Sequence, residues 1–312
     1  MPQVVWAGAQ PTAATDKSAW IVESMAAQRN RYSKAVKVVD PFDVWPWPFD
    51  PWEPLQRTHS PEYVEAVRQE QSRGLSAEAS LPALAVASAH ALRTAVFRVT
   101  DRYRFGSCRQ IVGSLGDGMH HARVSEARHG HTFNGLALAA SQPGPDGLPG
   151  DPVENPVVIL DLDGSCGGGT ASLIAGMSGV RQVDIAVNSL DEYDNTPNAS
   201  LRVVADASDY LDLLRETLDR LEPRVNQSTL CIYSAGIDGF EKAERGLRGM
   251  TADLLKQRDR MVFEWCLRVG VPTAYTIGGG TASEAMPRQV VVDLHRQTIE
   301  TAVAVMREHG RS

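Results

Sequence analysis

Four short stretches of this chain gather the residue types that do chemistry: GMHHA at 118–122, DLDGSCGGG at 161–169, SAGID at 234–238 and GGG at 278–280. Each follows or closes an apolar run. In a strand that ends D-x-D, the two-residue side-chain period puts Asp161 and Asp163 on one side, and a glycine-rich exit lets a ligand approach the backbone. Two acidic strand ends and the tandem His120 and His121 are ingredients for a metal or acid–base site. Taken singly, each has a plainer reading. A strand-end Asp caps the next turn, a His pair can be merely hydrogen-bonded, and GGG can mark only a tight turn.

The elements that must position these residues are visible as strand-like apolar runs. They lie at Gln3–Ala7, Val36–Val39, Gln110–Val112, Val157–Leu162, Val183–Val187, Leu201–Ala205, Thr229–Ser234 and Thr273–Ile277. Helical patterns alternate with them. Over Ser208–Leu221, Leu211, Leu214, Leu218 and Leu221 follow one helix face. Thr251 as N-cap, Asp253 in the first turn and Gly270 with Pro272 at the far end frame another helix. Strand–helix alternation with near-continuous apolar strands predicts an α/β fold, a largely parallel sheet with helices on both faces, in one domain spanning 1–312. Ligands of such sheets bind at the carboxyl ends of strands.

Two segments interrupt the alternation. WPWPFDPWEP at 45–54 holds three tryptophans and four prolines and predicts an ordered, non-helical loop, either packed on itself or lining a cleft. SQPGPDGLPGDPVENP at 141–156 predicts a surface excursion.

Composition bounds the function classes. Thirty-eight acidic against 31 basic residues, with no basic run, disfavours nucleic-acid and anionic-membrane surfaces, leaving protein or small-molecule partners and a homo-oligomer as an open option. No stretch of 18 apolar residues and no leader-like start occur, which predicts a soluble, cytoplasmic protein. Cys108, Cys166, Cys231 and Cys266 are too far apart for C-x-x-C or a small-domain disulfide framework.

The order of the motifs resembles the histone deacetylase family, together with bacterial acetylpolyamine amidohydrolases and acetoin-utilisation deacetylases. The likeness runs from HSPEYVEAV at 59–67 through HHA, Gly130, Phe133 and Asn134, the D-x-D strand, the A-G-x-D strand end, RDRMVF at 258–263 and the closing GGG. It covers roughly four-fifths of the chain, and agreement of several ordered motifs is specific for fold. The resemblance implies zinc-dependent hydrolysis of an acyl-amide of acetyl-lysine or acetylpolyamine type. It casts Asp163 and Asp238 as zinc ligands and His120 and His121 as the catalytic pair, with Asp161 orienting His120. Gly130, His131, Gly279 and Gly280 would line the ligand site. A monovalent cation, K+, beside Asp161 and Asp163 is also implied.

Departures fall on the positions that carry this chemistry. Ser165 stands at the family's ligand His and is a poor zinc donor. Gly168 stands where an Asp orients the second His, which predicts that His121 lacks a partner, a loss worth about 10 to 100-fold where it touches a metal site. Thr281 stands at the Tyr that donates to the oxyanion, a loss of about 2.7 to 4 kcal/mol in the barrier. His131 replaces a Phe, making the channel more polar. The expectation is a deacetylase-like protein with hydrolysis weak or absent. The alternative is an active metal-dependent amidohydrolase rebuilt on Asp163, Cys166 and Asp238, with His131 as a second substitute ligand. His90, His295 and His309 are expected to be solvated or capping.

Overall fold

The computed structural model describes residues 3–5, 16–27, 37–39, 50–73, 81–100, 111–141, 156–225 and 229–309. Cys108 and most of the two Pro-rich segments (45–49 and 142–155) lie outside them.

Eight strands form one sheet: β1 (Gln3–Val5), β2 (Lys37–Val39), β3 (Ile111–Ser114), β4 (Val157–Asp161), β5 (Val180–Ala186), β6 (Ala199–Val203), β7 (Leu230–Ser234) and β8 (Thr273–Thr276). Their order is β2-β1-β3-β8-β7-β4-β5-β6, and every pairing is parallel. Each falls on one of the eight expected apolar runs, with ends moved by one to three residues. Runs of this kind are what a strand buried on both faces requires.

The helices are α1 (Asp16–Ala27), α2 (Pro61–Arg73), α3 (Leu81–Thr100), α4 (Gly135–Ala140), α5 (Gly168–Ile174), α6 (Tyr210–Leu221), α7 (Ala252–Val269) and α8 (Arg288–His309). They cover both faces, and the strand pleat sorts side chains between two cores. Val158 and Leu160 of β4, with Cys231 and Tyr233 of β7, join Leu214, Leu218, Phe263 and Leu294 on one face. Val157, Ile159, Leu230 and Ile232 join Leu92, Val96 and Leu136 on the other.

Local signals act as expected where no tertiary contact overrides them. The Thr251 hydroxyl accepts from Leu254 N at 3.2 Å and starts α7, and Gly270 at φ 75° ends it. In α6, Leu214, Leu218 and Leu221 are buried and Leu211 is half-buried. The Trp/Pro segment departs from expectation. A 3-10 turn at Glu53–Arg57 begins with Pro54 in its first turn, where proline's missing N–H costs nothing. Trp52 serves packing: it is buried, edge-on to Phe133 at 6.1 Å.

His90 is not solvated but fully buried in α3, its Nε2 donating to Pro51 O at 2.7 Å, and His295 is fully buried in α8. An apolar helix face can take an imidazole when it stays neutral. Burial lowers His90 to about 4 and likewise lowers His59, whose Nδ1 donates to Arg123 O at 2.8 Å while its Nε2 accepts from Asn134 N at 3.0 Å. His309 lies exposed in the last turn of α8, a position suited to the helix dipole.

The folded state thus favours neutral His59 and His90, so their contribution is complete above pH 6.5 and is lost as pH falls towards 4. Each is worth at most about 3 kcal/mol. The urea midpoint should fall between pH 6.5 and 4, and His90→Gln should flatten that fall; an unchanged pH profile in that variant would remove His90 from the account.

Candidate active site

The four chemistry-bearing stretches leave the carboxyl ends of four adjacent strands, β3, β8, β7 and β4. Asp161, the last residue of β4, pairs in register with Ser234 of β7, which pairs with Thr276 of β8, itself opposite Ser114 of β3. The sheet register therefore brings HHA, DLDG, AGID and GGG to one place.

The His pair is presented by strained backbone. Gly118 and Met119 both lie at positive φ, 68° and 53°, and Met119 N donates to Asp117 O at 2.6 Å. A non-glycine residue held there is over-determined by its surroundings. Asn134 supplies part of that support, its Nδ2 donating to His120 O at 3.2 Å and Ala122 O at 3.3 Å while its Oδ1 caps α4.

His120 Nδ1 is 2.9 Å from Asp161 Oδ2, and its Nε2 is 3.9 Å from Asp163 Oδ2. Burial opposes a charge on His120, but Asp161, Asp163 and Asp184 outweigh it and hold the pKa well above the usual imidazole range. His121, 4.1 Å away ring to ring, is pushed down to about 4 by burial and by the charge on His120. Two titratable groups driven apart in this way form an acid and a base at neutral pH.

His121 does have a partner, contrary to the expectation from Gly168. Its Nδ1 lies 3.1 Å from Oδ2 of Asp191, in the connection between β5 and β6. The sequence offered no signal for Asp191, because its proximity to His121 is set by 70 residues of intervening fold. Lys17 and Asp117 were likewise not foreseen. Buried Lys17 donates to Gly279 O at 2.9 Å and pairs with Asp117 at 3.0 Å, bracing the glycine loop.

Opposite the His pair, Asp163 and Asp238 face each other. Burial and the neighbouring Asp238 push Asp163 well above the carboxylate range. On Asp238 burial is outweighed by hydrogen bonding to Asp163, to Gly164 N (2.6 Å) and to Ser165, and its pKa falls. The glycines make room: a Cβ on Gly278 would come 2.5 Å from Asp163 Oδ2, and one on Gly279 2.5 Å from Asp238 Oδ1. Gly280 instead backs onto Ile237 and Met286.

Gly130 is exposed, with open space where a side chain would stand. It and His129, at φ 80° and 50°, form the two-residue turn that closes Arg128 on His131 through paired bonds of 2.9 Å. The turn lays half-buried His131 over His121, 4.8 Å centroid to centroid, with His121 N donating to His131 Nδ1 at 3.2 Å. Thr281 is exposed.

Cys166 is fully buried beside Ala186, Leu201 and Tyr193, its Sγ 3.2 Å from Asn188 O, with burial pushing its pKa up. It belongs to neither cluster of metal-capable groups among the described residues, which are His120 with His121 and His131, and His120 with Asp161 and Asp163. The loop turns the thiol away from both clusters, toward the β5 exit.

A family model for the histone deacetylase domain matches residues 21–295. The chain belongs to the histone deacetylase family. The chain is also 30% identical over 168 residues to an uncharacterized protein of Picosynechococcus sp., covering 53% of this chain and 54% of that protein, so the match spans about half of the relative's length.

Deacetylases of this family are typically zinc-dependent, and His120, His121, His131, Asp161 and Asp163 are metal-capable groups here. The three ligand positions, 163, 165 and 238, offer carboxylate, hydroxyl and carboxylate, without the imidazole or thiolate that zinc sites use. Ser165 Oγ lies 3.2 Å from Asp238 Oδ2 and donates to it. Behind Asp161 lies a second group of buried oxygens. There Asp184 Oδ1 and Gln182 Oε1 are buried acceptors with no hydrogen-bond partner among the described residues, and Asp184 is pushed up by burial and by Asp161. Asp184 did leave a sequence signal, a lone charge within the apolar run Val183–Val187.

Proposed function

We propose that this deacetylase-family chain binds an acylated amine or a similar small polar ligand at the Asp163 and Asp238 cleft, with hydrolysis weak or absent. The carrying observation is the Ser165 hydroxyl donating to Asp238, which spends on a carboxylate the position that would hold the metal's imidazole. Exposed Thr281 supports the same reading, since a short hydroxyl stands at the position of the family's oxyanion phenol. Zinc, if held by Asp163 and Asp238, would supply water activation and polarisation of the amide; a carboxylate pair with a hydroxyl would hold it weakly.

What the chain retains is proton-handling. His120 is held charged by Asp161 and can donate to a carbonyl or amine, while neutral His121 offers a base. Asp161, Asp184 and Gln182 are the residues that would hold a K+ ion, stiffening the floor beneath Asp163. That preserved His pair favours one second reading, a slow hydrolase acting on a non-peptide C–N bond. We further propose a cytoplasmic protein of one domain; among the described residues no helix is long and apolar enough to cross a membrane.

Metal analysis of protein purified without chelator, beside Cys166→Ala and Asp238→Ala, tests the reading together with turnover of an acetyl-lysine peptide in added zinc. Expected are substoichiometric zinc in all three proteins, no effect of Cys166→Ala, and turnover at least about a thousandfold below an intact centre, since the lost groups act on one transition state. One tightly held zinc per chain with brisk turnover would overturn it.

A further inference from the structure

We propose that Asp191 is the positioning residue for His121, and that Gly168 and Asp191 are two halves of one exchange: the carboxylate that the family mounts at 168 is delivered here from the β5–β6 connection. The assignment rests on the reading of this site as a deacetylase-type His pair, and it adds the element that keeps the second His oriented.

Three independent observations carry it. The first is space. A Cβ on Gly168 would collide with the backbone carbonyl of Asp191 and come 3.0 Å from its Cγ, so Asp191 occupies the volume a side chain at 168 would need. Glycine at 168 is thereby a requirement of the new arrangement.

The second is fixation. The Asp191 side chain is 2% exposed and accepts four hydrogen bonds: from His121 Nδ1 at 3.1 Å, Arg123 Nη2 at 2.5 Å, Gly169 N at 3.0 Å and Arg128 Nη1 at 3.4 Å. Arg123 also donates through Nη1 to Gly168 O at 2.6 Å, tying both halves of the exchange together. Its backbone sits at φ 61°, a left-handed conformation that Asp tolerates and that persists when the surroundings over-determine it.

The third is direction. A carboxylate clamped by arginine is an acceptor only, so the 3.1 Å contact requires a proton on His121 Nδ1 and leaves Nε2 with its lone pair. The orientation and tautomer of the base are therefore set by a residue 70 positions away in the chain.

Long-range 1H–15N correlation of the histidine side chains in the full chain tests this without any need for turnover. Wild-type protein should show His121, assigned by loss of its signals in His121→Ala, as the Nδ1–H tautomer. Asp191→Ala should lose that signature, and Asp191→Asn, which keeps an acceptor oxygen, should retain it. Gly168→Ala should also lose it although Asp191 is intact, because the methyl displaces the Asp191 backbone. Thermal melting of each variant verifies folding. Persistence of the Nδ1–H tautomer in folded Asp191→Ala, or in folded Gly168→Ala, would overturn the assignment. Brisk acetyl-lysine turnover would instead overturn the weak-hydrolysis reading and leave Asp191 in place.

Discussion

Ser165→Ala should change little, whereas Ser165→His should turn this site into a zinc centre, raising bound zinc to one per chain. The two carboxylates are already in place, Asp163 seated between glycine backbones and Asp238 anchored on Gly164 N. The substitution removes the hydroxyl that occupies Asp238 Oδ2 and adds the one donor type the set lacks. Even an outer partner of a metal ligand is worth about 10 to 100-fold in affinity, so a ligand itself should give at least about 100-fold. Competition with a zinc chelator measures the gain, and Asp238→Ala in the same background should abolish it. A Ser165→His protein that folds and holds no zinc would refute the claim that the missing imidazole is what limits the metal.

The largest stability effect should come from Arg258, which is buried to 1% exposure behind the site. Its guanidinium contacts Asp259 Oδ1 at 2.8 and 2.9 Å and donates to Leu162 O at 3.0 Å and Gly236 O at 2.6 Å. Those carbonyls belong to the neighbours of Asp163 and to the turn before Asp238, so one cation ties two strand exits together. Tyr233 and Thr298 donate to the same carboxylate at 2.5 and 2.6 Å. Arg258→Met leaves Asp259 buried without its counter-charge and two carbonyls without donors. The expected cost is about 3–5 kcal/mol, or roughly 5–15 °C in melting temperature. Replacing both members, Arg258→Met with Asp259→Leu, should recover part of the loss, because an apolar pair leaves no stranded charge. Calorimetry of the single and double variants decides it. A single variant that melts within about 2 °C of the wild type would mean that water or a neighbouring cation replaces the guanidinium.

The fold was legible because its signals are local and repeated. Apolar runs such as Val157–Leu162 can be buried on both faces only in a covered parallel sheet, and Thr251 and Gly270 mark helix ends through backbone groups within four residues. His120, Asp161, Asp163 and Asp238 could be named together because strand ends of a parallel sheet converge on one edge, so a linear pattern of strand-end motifs is already a spatial one.

What the sequence could not decide is everything that depends on which side of a loop a side chain takes. Cys166 and Ser165 are adjacent in one glycine-rich loop, yet Ser165 turns to Asp238 and Cys166 to Asn188 O. Gly168 read as the loss of a carboxylate, and only the β5–β6 connection, folded back on α5, shows the carboxylate restored from Asp191. His90 and His295 read as surface residues until helix packing enclosed them. Residue types and strand order thus determined the fold and the family of chemistry, since both follow from short-range pattern. The tertiary structure alone decided the partners of each imidazole and carboxylate, because a hydrogen bond within about 3 Å is a property of distance in space and not of separation along the chain.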